Sequence, residues 1–221
     1  MAGESESVVE FTINAIRGGI RDGRFVPGQR LVVADLTSAL GVSAGPVREA
    51  IRRLSGENLI DIVPHCGATV RKLDQRDLAE IYQLREVVEG LAAELAARNI
   101  DEGRNRALLE AQYAREPEAV QAGGLAYIKH NQALHRLIFD VAGNARLSAT
   151  GDQLIVPLYR FQQLKAVSHV DASHNEHATL IAAILAGDEK KAGNAMRRHI
   201  RNSAQVMLSL TTPEWGLEPL R

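Results

Sequence analysis

The sequence is short of several things, and each shortage excludes something. Its 221 residues include one cysteine, Cys66, so no internal disulfide can form, which fits the reducing cytoplasm. No run of 18 or more apolar residues occurs, and no membrane-spanning helix is expected. The opening residues Met1-Ala2-Gly3-Glu4-Ser5-Glu6-Ser7 lack the basic start and apolar middle of a secretory signal. No internal repeat or low-complexity stretch is present. An excess of charge is also missing: 26 Lys and Arg against 27 Asp and Glu leave a net −1. Residues 1–72, with nine Lys/Arg and eight Asp/Glu, reach only +1. Binding to a polyanion must therefore rest on a local cluster rather than on a basic domain.

Helical and strand patterns are both present, but they are segregated. Val8, Val9, Ile13, Ile16 and Ile20 predict a helix over 5–22, stopped by Asp22-Gly23. After the Pro27-Gly28 turn, Arg30-Leu31-Val32 reads as a short strand. A helix over 33–40 follows, closed by Gly41, and another starts after Ser43, a natural N-cap, with Pro46 in its first turn. Two short strands, 59–63 and 68–72, flank Pro64-His65-Cys66-Gly67 as a hairpin. Beyond residue 73 the strand signal stops. Helices are expected over 74–98, 102–115, 119–141, 145–167, 172–186 and 189–210. Leu78, Ile81, Leu84, Val88, Leu91, Ala92 and Leu95 form the apolar side of the first. Gly123-Gly124 is expected inside the third as a bend, and Pro157 as a kink in the fourth. The expected fold is therefore mainly α: a winged helix-turn-helix over 1–72, an all-α antiparallel bundle over 74–210, and a tail over 211–221.

In the first domain, Leu36, Leu40, Val42, Val47, Ile51 and Leu54 can form the core of a helix-turn-helix around Gly41-Val42-Ser43. The second helix then presents Arg48 and Arg52, one turn apart, with Arg53 beside them. Such a helix enters the major groove by its N-terminal residues, and its arginines meet phosphates or guanine edges. Ser43 and the free N–H groups of the helix start suit a phosphate. The hairpin would be the wing, with His65 near its tip. Leu40-Gly41-Val42-Ser43, Pro46-Val47-Arg48-Glu49-Ala50-Ile51-Arg52-Arg53-Leu54, Pro27-Gly28-Gln29-Arg30-Leu31 and Gly67-Ala68-Thr69-Val70 together resemble the DNA-binding domain of GntR-type regulators. The resemblance spans residues 8–72. It implies DNA contacts at Ser43, Arg48, His65 and Gly67. The family usually has Arg-Thr where this chain has Ala44-Gly45, so base reading there is expected to depart from the family's. One good bidentate base contact is worth roughly 1–3 kcal/mol of discrimination.

Six of the seven histidines lie after residue 129. Asn131 and His135 share one helix face, while His177 and His199 lie on the last two helices; a bundle can gather them at one point. Three imidazoles and an oxygen donor suit Zn²⁺ or another first-row divalent ion. Spacing does not separate His177 from His174, one turn earlier, and His130, His169 and His174 read as ordinary surface or core residues. Asn131-Gln132-Ala133-Leu134-His135-Arg136, Ala142-Gly143-Asn144, Glu176-His177, Gly187-Asp188 and Met196-Arg197-Arg198-His199 resemble the FCD sensor domain of the FadR branch. Arg85, Glu89 and Leu91-Ala92-Ala93 match its start. Six helices fit the shorter, VanR-like variant. The resemblance implies a metal held by Asn131, His135, His177 and His199, with Asn where Asp is more usual. It also implies a small organic acid as effector, paired with Arg85 or, more weakly, Arg160. Arg85 reads equally well as a solvated or Glu89-paired side chain.

The resulting expectation is a cytoplasmic, homodimeric DNA-binding repressor released from its operator by a carboxylate, and not an enzyme. The ion would be zinc, with nickel or manganese as alternatives. Two rivals share the residues: a metal-dependent hydrolase or lyase, which lacks an evident general base, and a metal-free bundle that senses acyl chains. Cys66 reads as inert.

Overall fold

The computed structural model describes residues 7–63, 67–155 and 170–210, which form two compact units, Met1–Leu73 and Asp74–Arg221. In the first unit, Ser7 caps helix α1 (Val8–Arg21) by accepting the N–H of Glu10. The chain then forms β1 (Arg30–Leu31) and α2 (Val33–Leu40). Gly41 ends α2 in the left-handed conformation, φ 66°, where a side chain would be strained. Helix α3 (Ala44–Gly56) buries Val47, Ala50, Ile51 and Leu54 against Ile13 and Ile16 of α1 and Leu36 of α2. A bidentate Arg17–Glu57 pair ties α1 to the end of α3.

Strands β2 (Ile60–Val63) and β3 (Gly67–Val70) pair antiparallel, with Ile60 opposite Val70 and Val63 opposite Gly67. β1 joins the other edge of β3, Arg30 opposite Thr69, giving the order β1-β3-β2. The winged helix-turn-helix is thus as the pattern predicts. His65 lies outside the described residues, as do Arg160, Pro157 and residues 211–221.

The second unit is helical throughout its described residues: α4 (Gln75–Arg98), α5 (Asn105–Tyr113), α6 (Glu116–Ala122), α7 (Gly124–Ala142), α8 (Ala145–Ile155), α9 (Val170–Leu185) and α10 (Glu189–Leu210). Among the described residues that is seven helices, where the sequence pattern predicts six in all. Pro117 sits in the first turn of α6, where its missing N–H is harmless. Gly123 and Gly124, both at positive φ, separate α6 from α7 instead of bending one long helix.

α4 also differs from expectation. Its buried side is Leu78, Tyr82, Arg85, Glu89, Gly90, Ala92, Ala93, Ala96 and Ala97. Leu84 and Leu91, expected on the apolar side of an amphipathic helix, are exposed, as is Val87. The helix has a second apolar stripe facing outward, and hydrophobicity alone does not tell the two stripes apart.

α4 runs antiparallel along α10, and each helix contributes a glycine to the contact. A Cβ on Gly90 would lie 2.7 Å from Arg197 Cγ, and one on Gly193 would strike Glu94. Arg197 and Glu94 themselves pair at 2.8 Å across the same contact. Arg98–Glu189 closes one end. α4 packs further on α7, α8 and α9. Asn99 donates to the last carbonyls of α7, fixing that helix against the end of α4. Phe139 of α7 lies against Gly151 of α8, with no room for a Cβ. Among the described residues no helix is long and apolar enough to cross a membrane.

Gly151→Ala is expected to push Phe139 out of place and to lower stability by about 1–3 kcal/mol in thermal or urea unfolding, as overpacking does.

Candidate DNA-binding surface and metal centre

α3 carries the polar surface of the first unit. Ser43 holds the N-cap position, but its hydroxyl makes no capping bond, and space around Gly45 is open. Arg48 is exposed, and no hydrogen bond or ion pair engages its guanidinium among the described residues. Arg52 and Arg53 are different. Glu49 accepts from both, at 2.8 Å each, and Arg53 also donates to Glu10. These bonds hold the Glu49 carboxyl down to about 2. Arg52 therefore faces outward as expected but with its charge already matched. Gly67 opens β3 at φ 89°, beside the Arg30 side chain.

In the second unit the apolar stripes of three helices each carry one histidine at a core position. His135 follows Leu134 on α7, His177 precedes Leu180 and Ile181 on α9, and His199 lies between Met196 and Ile200 on α10. All three are essentially buried, and their ligand atoms lie within 4.8 Å of one another. Ring centroids are 5.7 Å apart for His135–His177, 5.2 Å for His135–His199 and 4.7 Å for His177–His199. Geometry thus joins His177, not His174, to the other two. Asn131 is half-buried and one turn before His135, on the same side of α7.

Each imidazole meets a carboxylate from a different helix. His135 Nδ1 is 2.5 Å from Glu89 of α4, His177 Nδ1 is 2.7 Å from Glu116 of α6, and His199 Nδ1 is 2.7 Å from Glu176 of α9. An ionised carboxylate only accepts, so each Nδ1 carries the hydrogen and each Nε2 is left with a lone pair. His135 Nε2 and His177 Nε2 are buried with no hydrogen-bond partner among the described residues. Three imidazoles, each fixed by a carboxylate behind it, are a donor set and outer support that suit a divalent metal. Burial depresses the His177 pKa despite Glu116, which keeps the ring neutral and able to ligate.

Glu89 is held on its other oxygen by Arg85, Nε to Oε1 at 2.6 Å. Burial raises the Glu89 carboxyl, but the Arg85 charge and the hydrogen bonds from Arg85 and His135 overcome it and hold it at about 2. Arg85 is buried with it and lies over the Tyr82 ring. It is the Glu89-paired alternative of the sequence that appears here, in a dry setting rather than a solvated one.

Sequence reasoning missed the three supporting carboxylates. Glu89 had a weak signal, an acid one turn after Arg85. Glu176 stands next to His177 yet serves His199, and Glu116 comes from a short helix whose existence was not expected.

A further group surrounds Glu116, whose carboxyl is raised by burial but brought below its ordinary value by His177, His174 and His130. Burial lowers the His130 pKa. Burial pushes the Tyr127 phenol up; the neighbouring Ser173 side chain opposes this, and the Glu116 and Glu176 charges add to it.

A winged helix-turn-helix followed by a helical domain with a buried imidazole cluster defines a class of bacterial regulator. Residues 9–70 match the model described as bacterial regulatory proteins, gntR family, and residues 80–202 match the FCD domain. The chain belongs to the GntR family of transcriptional regulators and carries an FCD domain; it is not an enzyme family. It is 31% identical to the HTH-type transcriptional repressor GlaR of Escherichia coli over 84% of this chain and 89% of that protein. It is 29% identical to the transcriptional regulator BphR of Paraburkholderia xenovorans, over 91% of this chain and 85% of the other. The solved structure of E. coli McbR/YncC superposes with a TM-score of 0.80 at 23% identity, covering 93% of this chain and 99% of that one, which shows the shared fold.

Arg85→Met should destabilise the protein by about 3–5 kcal/mol in urea unfolding, because it leaves Glu89 charged, buried and half-paired. Adding Glu89→Gln to that variant should recover a large part of the loss.

Proposed function

We propose that the protein is a homodimeric repressor that leaves its operator when a small carboxylate binds at a divalent metal in the FCD domain. The observation that carries this reading is the trio of buried imidazoles, each held by a carboxylate on Nδ1, with ligand atoms within 4.8 Å of one another. His135, His177 and His199, with the Asn131 amide oxygen, would hold the ion. When bound, a Zn²⁺, or a Ni²⁺ or Mn²⁺ in its stead, would supply a Lewis-acidic seat for an effector carboxylate. Arg85 offers the acid its Nη nitrogens, since Nε is engaged by Glu89; Arg160 remains the second candidate.

On the DNA side, Arg48 is the free guanidinium of the reading helix. Ser43 and the N–H groups of Ala44 and Gly45 would take a phosphate, and Gly67 with His65 would bring the wing to the backbone. Arg52 contributes through its aliphatic stem and shared charge. The cytoplasm is the compartment where such an operator is found. That the relative GlaR is a repressor supports repression as the mode.

Dimerisation is supported by the outward stripe of α4. Ile81, Leu84, Val88, Leu91 and Leu95 recur at alternating three- and four-residue steps, as in a helix that pairs with another copy of itself. Leu84 is 56% and Val87 64% exposed. An acid that binds one arrangement of the sensor better than the other shifts DNA affinity by that difference alone.

Arg48→Ala should weaken operator binding at least about tenfold in a mobility-shift titration, within the range of one lost bidentate contact. Undiminished binding would sink the assignment of α3 as the reading helix. The wild type should carry one metal ion per chain by elemental analysis, and His135→Ala none. Metal-free wild-type protein that still releases DNA with a carboxylate would defeat the metal reading.

A further inference from the structure

Six buried side-chain atoms of the helical unit have no hydrogen-bond partner among the described residues. Two are the Nε2 atoms of His135 and His177. The other four are Glu116 Oε2, Tyr127 Oη, His130 Nε2 and His174 Nδ1. Buried polar atoms are expensive to leave unpaired, so four of them in one neighbourhood require an occupant.

Two of the four, on His130 and His174, lie against the Glu116 carboxylate that supplies a third. His130 Nε2 is 3.6 Å from Glu116 Oε2, and His174 Nδ1 is 3.3 Å from Glu116 Oε1, neither making a hydrogen bond. The Gln112 amide lies 3.4 Å from His130 Nδ1 and can donate to it, which leaves the His130 hydrogen on Nε2, on the Glu116 side. Tyr127 precedes His130 by one turn on α7, on the same side of that helix. Glu116 is wholly buried, and His130 and Tyr127 are more than nine-tenths buried.

The chemistry of the set selects the occupant. A cation would suit Glu116 but leave the N–H and O–H groups without an acceptor. An anion would suit those donors but meet the carboxylate. A hydroxyl group does both, donating to Glu116 Oε2 and accepting from His130 or Tyr127. A second metal ion is not favoured, because among the described residues only His135, His177 and His199 bring three ligand atoms close enough. Glu116 Oε1 holds His177, so this neighbourhood and the imidazole cluster share a wall.

We propose that Glu116, His130, His174 and Tyr127 form a hydroxyl-reading subsite beside the imidazole cluster, so that the effector is a hydroxylated carboxylic acid rather than a plain alkanoate. The inference rests on the reading that a small acid binds at the cluster, and it specifies the class of that acid.

Isothermal titration of the metal-loaded full-length protein with gluconate and with hexanoate tests it. Gluconate has the same chain length and a hydroxyl at every carbon beyond the carboxylate, so it scans the reach to the subsite. The wild type should bind gluconate at least about tenfold tighter, since a site built for a hydroxyl rejects the analogue without it. Tyr127→Phe and His130→Phe should each weaken gluconate about tenfold while leaving hexanoate affinity and metal content unchanged. Equal affinity of the wild type for the two acids overturns the subsite but leaves the effector reading standing. Equal weakening of both acids in Tyr127→Phe makes the tyrosine structural and overturns the subsite as well. Tighter binding of 2-aminohexanoate than of gluconate, or two metal ions per chain, overturns it in favour of a cationic occupant. A metal-loaded protein that binds none of these acids, and whose DNA complex none of them releases, defeats the effector reading and the subsite with it.

Discussion

The helical unit depends on one arrangement, three imidazoles buried in an apolar core with a carboxylate behind each. A neutral histidine in such a core is tolerable only if its N–H is satisfied, and an ionised carboxylate only if it accepts from several donors. Here each solves the other's problem, since Glu89, Glu116 and Glu176 accept from the rings of His135, His177 and His199. Arg85 and Asn202 take the remaining oxygens of two of them. The bonds link α4 to α7, α6 to α9 and α9 to α10, so the polar network also sets the packing order of the bundle. In the proposed metal site the network's charge would compensate for an amide in place of an acidic ligand, with the negative charge standing behind the rings.

The network can form only because the helices approach closely. α4 presents Gly90, Ala92, Ala93, Ala96 and Ala97, and α10 answers with Ala192, Gly193 and Ala195. Small residues along this seam let the Arg197–Glu94 pair fold over the two glycines and bring His199 in beside the rings of α7 and α9. Bulkier residues there would separate the backbones and pull the imidazoles apart.

Much of this was legible in the sequence. The boundaries of α2 and α3 follow from Gly41 and Ser43, and the wing from the alternation around residues 64–67. The histidines stand out because a polar residue at a helical core spacing is conspicuous. What sequence periodicity missed has physical causes. Glycine before α7 marks a break as readily as a bend, and only the packing of α6 beneath the cluster decides between them. α4 has two apolar stripes, and the more hydrophobic one faces outward, because the inward one is made of alanine, glycine and a buried ion pair. The carboxylates behind the imidazoles are 23 to 61 residues away in sequence. Charge pairs at that distance are set by tertiary packing, not by local spacing.

The Glu49 carboxylate on α3 has a consequence for how such a head would search a chromosome. By drawing in Arg52 and Arg53 it leaves the reading helix one uncommitted guanidinium, in a domain of nearly zero net charge. A surface of this kind displaces few condensed counterions from the duplex, so its grip on arbitrary sequence is weak and falls off gently with salt. In the dimer proposed above, occupancy would come from two heads tethered together, where the second contact is effectively intramolecular. Such a dimer would spend little time on the wrong DNA, and a small loss of fit between its paired heads would be enough to free it.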